Sequence, residues 1–288
     1  MSDPYTPTDD REPSHDDPTT VLTRARRARL DALDALHQHR DSVVVVGAQA
    51  IYLHTGAAAT PVAEATKDSD LAFDVRHLAD QPLIDVAMRA ADFQLDATKR
   101  QPGAWVSLDG IPVDLMVPET LAGGAGSRAA QHPPHDKRAF RRGAGLEAAL
   151  VDYQAMEIRP LTDTDIRVTV ANVAGSAALL VAKLHKIGER SDKAPDRLVD
   201  KDADDLYRLL VAIETPALAR GLALLRDSEL AAPATDQALT WLAQLLAAGP
   251  AAIGSQMAGR VEAPFGTADI VAAASAVLAQ DLLAAIAQ

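Results

Sequence analysis

The chain has 288 residues, 48% of them apolar, a formal net charge of −12 and no cysteine. That length suits one large domain or two ordinary ones with a real core, and the acidity argues against broad, nonspecific nucleic-acid binding. Disulfides and cysteine-ligated zinc are excluded. With no long uninterrupted apolar segment, no membrane span is expected, and a cytoplasmic location is the default.

Residues 1–20 are rich in proline and acids and read as a disordered tail. "VLTRARRARLDALDALHQH" (21–39) predicts a helix with Leu22, Leu30, Leu33 and Leu36 toward the core and Arg24 to Arg29 as a solvated face. "VVVV" (43–46) predicts a strand that turns at Gly47 into a short helix ending near Thr55, before prolines and alanines at 57–65 break the chain. "SDLAFDV" (69–75) alternates like a strand and "PLIDVAMRAADF" (82–93) is spaced like a helix. Three short strand-like pieces follow at 93–98, 104–109 and 111–117, with Asp109-Gly110 as a hairpin turn between the last two. Residues 121–145 predict a long mobile loop, and "AALVDYQAMEIRPL" and "DIRVTVAN" predict further strands. After Ala171 five segments, "VAGSAALLVAKLHKIGER", "DKDADDLYRLLVAI", "PALARGLALLRDS", "TDQALTWLAQLLA" and "TADIVAAASAVLAQDLLAAIA", have helical periodicity. The expected class is therefore α+β: a mixed-sheet domain over 21–170 and a helical domain over 171–288 that completes a cleft.

Asp68 and Asp70 sit two apart at the start of one predicted strand, so both carboxylates point the same way. Asp114 interrupts the apolar run Ile111, Val113, Leu115, Val117, where a carboxylate is costly to bury without a cation. If those strands are neighbours, three like charges converge, and a divalent cation relieves their repulsion. Mg²⁺ suits such a site because it takes oxygen ligands and keeps positions for substrate phosphates. Two such ions about 4 Å apart stabilise both the attacking and the leaving oxygen of a phosphoryl displacement. The plain alternative makes Asp68 and Asp70 a solvated strand start. Gly47-Ala48, at a strand end and a helix N-terminus, offers backbone amides to a phosphate, although the segment lacks the lysine and serine of a P-loop.

Downstream, Lys183, Lys186 and Arg190 fall on one helical face, and Asp202 and Asp205 share another. Such a basic face can meet the β- and γ-phosphates of a nucleotide; the bland reading is a set of interhelical salt bridges.

The order of glycine turn, helix, D-x-D strand and third aspartate resembles the DNA polymerase β-like nucleotidyltransferase superfamily. The block "LLVAKLHKIGERSDKAPDRLVDKDADDLYRLL", with Lys183, Arg190, Lys201, Asp202 and Asp205, is similar to that of the AbiEii-type nucleotidyltransferase toxins, which include the mycobacterial MenT toxins. With "VVGAQAIYLH" and "TKDSDLAFDV" the resemblance spans residues 40–210. Relatives commonly have Gly-Gly or Gly-Ser where this chain has Gly47-Ala48, so a serine contact to phosphate is missing while backbone amides remain.

The resemblance implies a magnesium-dependent nucleotidyltransferase, with two ions plausible. Asp68, Asp70 and Asp114 would be metal ligands, and Lys183 and Asp205 would join them as catalytic residues. Gly47, Ala48, Lys183, Arg190 and Asp202 would bind a nucleoside triphosphate. It implies attack of an acceptor hydroxyl on the α-phosphate, aided by Asp114, with pyrophosphate leaving toward Lys183. The implied acceptor is the 3′ end of tRNA and the implied role is the toxin of a type IV-like toxin–antitoxin pair, with an antitoxin protein as partner. Lys137, Arg138, Arg141 and Arg142 are then candidate RNA contacts, with Phe140 placed to stack a base. His54 and the His132/His135 pair read as structural. The alternatives are transfer to a small molecule or a protein hydroxyl, or a nucleotide-binding module without turnover.

Overall fold

The computed structural model describes residues 18–56, 68–124 and 128–287. The expected tail therefore lies largely outside the described residues, as does the proline- and alanine-rich break at 57–65. Helix α1 (Pro18–Ala35) leads through a 3₁₀ turn into strand β1 (Val43–Val46) and helix α2 (Gly47–Thr55). Strand β2 (Ser69–Phe73), helix α3 (Ile84–Ala90), the short strands β3 (Gln94–Leu95) and β4 (Ala104–Val106), and strand β5 (Pro112–Pro118) follow. Next come β6 (Ala129–Ala130), β7 (Phe140–Gly143), β8 (Tyr153–Ile158) and β9 (Thr169–Ala174). The rest is helical: α4 (Ser176–Lys193), α5 (Asp200–Ala212), α6 (Thr215–Arg226), α7 (Ala232–Leu242), α8 (Ile253–Val261) and α9 (Ala268–Ile286).

The architecture is α+β, with parallel and antiparallel strands in one mixed sheet ordered β3-β4-β5-β2-β1-β9-β8 among the described residues. Strand β1 is central and every residue in it is buried, which suits its unbroken run of β-branched valines. It runs antiparallel to β2 and parallel to β9. Strand β2 lies parallel to β5 in a register that puts Asp70 opposite Asp114. The Asp109-Gly110 hairpin forms as expected: Gly110 takes a φ of +73° and β4 pairs antiparallel with β5.

Two expectations are overturned here. Within 121–145, β6 and β7 form, and β7 joins the sheet parallel to β5, with Arg141 beside Met116. The segment shows no strand signal because its pairing partner is distant in sequence and supplies the order. The arginines of α1 are not one solvated face either. Arg29 is fully buried and Arg26 nearly so, while Arg24 and Arg27 reach the carbonyl and carboxylate of Asp109 at the hairpin turn. Burial, and then the charge of Arg26, lowers the Arg29 pKa to about 9. Leu30, Leu33 and Leu36 face the core as expected, whereas Leu22 is half-buried and lies outside it.

Helix α9 is the one described helix long and apolar enough, by length and composition, to cross a membrane, with a mean hydropathy of 1.7. It carries Asp269 and Asp281 and lies against α6 and α8. The sequence reading, which looked for uninterrupted apolar runs, passed over it.

Candidate functional site

The site begins where β1 ends. Gly47 has a φ of +75°, and a Cβ there would sit 2.1 Å from Asp70 Oδ2. Glycine is thus needed twice, for the left-handed backbone and for the space that the Asp70 carboxylate fills. Gln49, buried in the first turn of α2, donates to the Asp68 carbonyl at 3.1 Å and the Ser69 hydroxyl at 3.2 Å, fixing the start of β2. Ser69 in turn donates to the Ala25 carbonyl of α1.

Asp70 and Asp114 project from neighbouring strands at the same level, where backbones lie about 4.8 Å apart. Burial first, then the charge of Asp114, raises the Asp70 pKa to about 6, while Arg141 and Lys186 pull it down. Arg141, on β7, donates to Asp114 Oδ2 through Nη2 at 2.8 Å and Nε at 3.2 Å. Asp114 Oδ1 is buried with no hydrogen-bond partner. Asp68 stands exposed just before β2, and its negative charge also raises Asp70. Among the described residues no group of three or more His, Asp or Glu is gathered closely enough to hold a metal ion alone. The Asp70–Asp114 pair with its bare oxygen does fit the one or two carboxylates that Mg²⁺ takes when phosphates complete its shell.

Above this pair lies a cavity of about 380 Å³ between the ends of β1, β2 and β7 and one face of α4. Its lining includes Asp70 and Glu189 against Arg141, Arg142, Lys183, Lys186, Arg190, Lys193 and Arg197. A protein of net charge −12 has concentrated cations here. Residues 183, 186, 190 and 193 repeat at helical spacing, so one stripe of α4 faces the cleft. A second cavity of about 480 Å³, lined by Gln101, Glu119 and Arg128, shares Arg141, Arg142, Ala144, Glu189 and Arg197 with the first.

Lys183 lines the cleft but its charge is already matched. It is buried, 2.8 Å from Asp202 and 2.6 Å from Asp205 on α5. Burial alone would lower its pKa; Asp205 and Asp202 outweigh that and hold it above the ordinary lysine value. Asp202 also pairs with Lys186 at 2.8 Å and Arg190 at 3.1 Å. Burial opposes its charge, but Lys183 and Lys186 hold its pKa below the usual carboxylate range. Asp202 and Asp205 do not line the cleft; they anchor the basic face of α4 to α5. Lys201 donates to the Tyr52 hydroxyl at 2.9 Å and so ties α5 to α2.

The proposed RNA contacts divide. Lys137 and Arg138 are exposed, whereas Arg141 and Arg142 turn into the cleft, and Arg142 donates to the carbonyls of Gly123 and Gly124. Phe140 is fully buried against Phe73, with ring centroids 4.8 Å apart, so it is unavailable to stack a base. His54 bonds the Ala174 carbonyl at 2.7 Å, and His135 lies between the Ile84 amide and the Ala79 carbonyl.

Sequence reasoning missed Lys193 and Arg197 and the pairing of Arg141 with Asp114. Lys193 extends the 183–186–190 stripe by one more step and was legible; the role of Arg141 was not, because it depends on the β5–β7 pairing. No family model and no curated protein matches the chain.

Proposed function

We propose that the protein is a magnesium-dependent nucleotidyltransferase that moves a nucleoside monophosphate from a nucleoside triphosphate to an acceptor hydroxyl. The observation that carries this reading is the basic cleft lined by Asp70, with Asp114 in register beside Asp70 on the neighbouring strand. Cations along the walls and two carboxylates beneath suit a metal-bound polyphosphate.

In this reading Asp70 and Asp114 would hold Mg²⁺, with the exposed Asp68 adding negative charge nearby. When bound, the ion neutralises charge on the phosphates and on the attacking oxygen. Lys186, Arg190 and Lys193 bind the β- and γ-phosphates, and the amides at Gly47 and Ala48 contact the triphosphate from the other wall. Lys183, neutralised by Asp202 and Asp205, acts by fixing α4 against α5. The acceptor oxygen attacks the α-phosphorus in line, its proton passes to Asp114, the bond from the α-phosphorus to the bridging oxygen breaks, and pyrophosphate departs along α4. The rate gain comes from positioning and electrostatics.

The basic second cavity, which shares Arg141, Arg142 and Arg197 with the first, supports a polyanionic acceptor, and the 3′ end of tRNA is the acceptor we propose. The role of toxin opposed by an antitoxin protein rests on the sequence resemblance. The Asp114–Arg141 ion pair favours the second reading, a nucleotide-binding module without turnover, because it supplies Asp114 with an internal cation.

Incubating the protein with each labelled nucleoside triphosphate, Mg²⁺ and total tRNA, beside Asp70→Ala, tests the proposal. Label on tRNA with the parent protein alone is expected. Metal-dependent triphosphate binding without labelling redirects the search to a small-molecule or protein hydroxyl. Binding without any transfer leaves the module.

A further inference from the structure

Resting on that reading, the contacts of Arg141 point to a role beyond lining the cleft. Both of its bonds to Asp114 fall on Oδ2, so Oδ1 stays bare in a buried position. Arg141 bonds the pair directly, while Lys186 and Arg29 act on Asp70 through their charge. The backbone of Arg141 is held firmly: β7 is in register with β5, and Gly103 approaches so closely that a Cβ there would lie 2.4 Å from the Arg141 amide. Only the side chain has room to move. It is 22% exposed and borders both cavities.

We infer that Arg141 is the resting protein's own counter-ion for Asp114, and that it exchanges that carboxylate for the phosphates when a divalent cation and a nucleoside triphosphate enter together. A divalent ion puts twice the charge of a guanidinium into a smaller volume, so it is the better partner for two adjacent carboxylates. The phosphates arriving with it offer the planar guanidinium a paired set of acceptors. Metal alone has to displace Arg141 with nothing to receive it; metal and triphosphate together do not. The two ligands are therefore coupled, each tightening the other by the same factor.

The test measures protein-bound Mn²⁺ by electron paramagnetic resonance, after subtracting the Mn²⁺ that the triphosphate binds in protein-free controls, with wild type, Arg141→Gln and Arg141→Lys, with and without an α,β-methylene nucleoside triphosphate. Wild type should bind Mn²⁺ about tenfold or more tightly when the triphosphate is present, a coupling of ordinary size. Arg141→Gln should bind Mn²⁺ alone about tenfold more tightly than wild type, hold the triphosphate more weakly and lose most of the coupling. Arg141→Lys, which keeps the charge but not the fork, should fall between them, and it carries the test if the glutamine variant does not fold. Unchanged Mn²⁺ affinity in these variants, beside triphosphate-dependent binding in wild type, overturns this inference and leaves the proposed function standing. No Mn²⁺ binding by wild type under either condition removes the proposed function and the inference with it.

Discussion

The Asp202 cluster lies behind the basic helix of the cleft and the Asp70–Asp114 pair at its sheet side, and they balance charge in opposite ways. Around Asp202 and Asp205, three cations of α4 and Lys201 of α5 meet two carboxylates, so positive charge is in excess. Around Asp70 and Asp114, Arg141 bonds Asp114, Lys186 acts on Asp70 only through its charge, and one buried oxygen has no hydrogen-bond partner. The first cluster is a closed strut between two helices whose surplus charge faces the cleft. The second leaves its two carboxylates with fewer direct partners. What separates them is the supply of cations within reach, since both are built from aspartates held at fixed spacing.

The largest effect is expected at the strut. Asp202→Ala leaves Lys183 buried with half its partners and should cost about 3–5 kcal/mol, read from urea denaturation. An unchanged midpoint would mean the cluster behaves as a surface pair, and the contrast would collapse.

The Asp70–Asp114 pair makes a pH-dependent prediction. A carboxyl whose native pKa is raised to about 6 keeps its proton while the unfolded chain releases it from about pH 4. The native state then binds more protons, so this group's contribution to stability falls as pH rises from about 4 to 6. Asp70→Asn removes that loss. Its stability relative to wild type should improve by about 2–3 kcal/mol between pH 4 and pH 7 in the absence of divalent cations. A constant difference across that range would show that burial and the neighbouring charge of Asp114 do not raise the Asp70 pKa.

Gly47→Ala should cost about 1–3 kcal/mol, because alanine meets both the left-handed backbone and the Asp70 carboxylate. It should also weaken metal-dependent triphosphate binding, since Asp70 has to move. A stability loss with binding intact would separate the turn from the site. The smallest effect is expected at the rim of the cleft. Lys193→Ala should leave stability within about 0.5 kcal/mol while reducing triphosphate affinity a few-fold at low salt, a difference that added salt erases.

The parts of the site that could be read in advance are those encoded by short-range spacing. The strand–turn–helix at 43–55, Asp70 of β2, the lone aspartate of β5 and the basic stripe of α4 each need only a local period of two or 3.6 residues to be seen, whereas Asp68, expected on the same strand, lies exposed before it. The adjacency of Asp70 and Asp114 is different, since it depends on a parallel pairing of strands forty-odd residues apart. The sequence suggested that adjacency only through the cost of burying Asp114 without a cation.

The sequence by itself determined the class of fold, the strand that ends at Gly47 and the residue types that line the cleft, because hydrophobic periodicity and turn chemistry act over a few residues. Only the tertiary structure decided which charges meet. It turned Phe140 into the core, buried Arg26 and Arg29 beneath the sheet, spent Lys183 on Asp202 and Asp205, and brought Arg141 to Asp114. Long side chains carry their charge several ångströms from the backbone, so a charged residue's partner is set by the packing of distant elements.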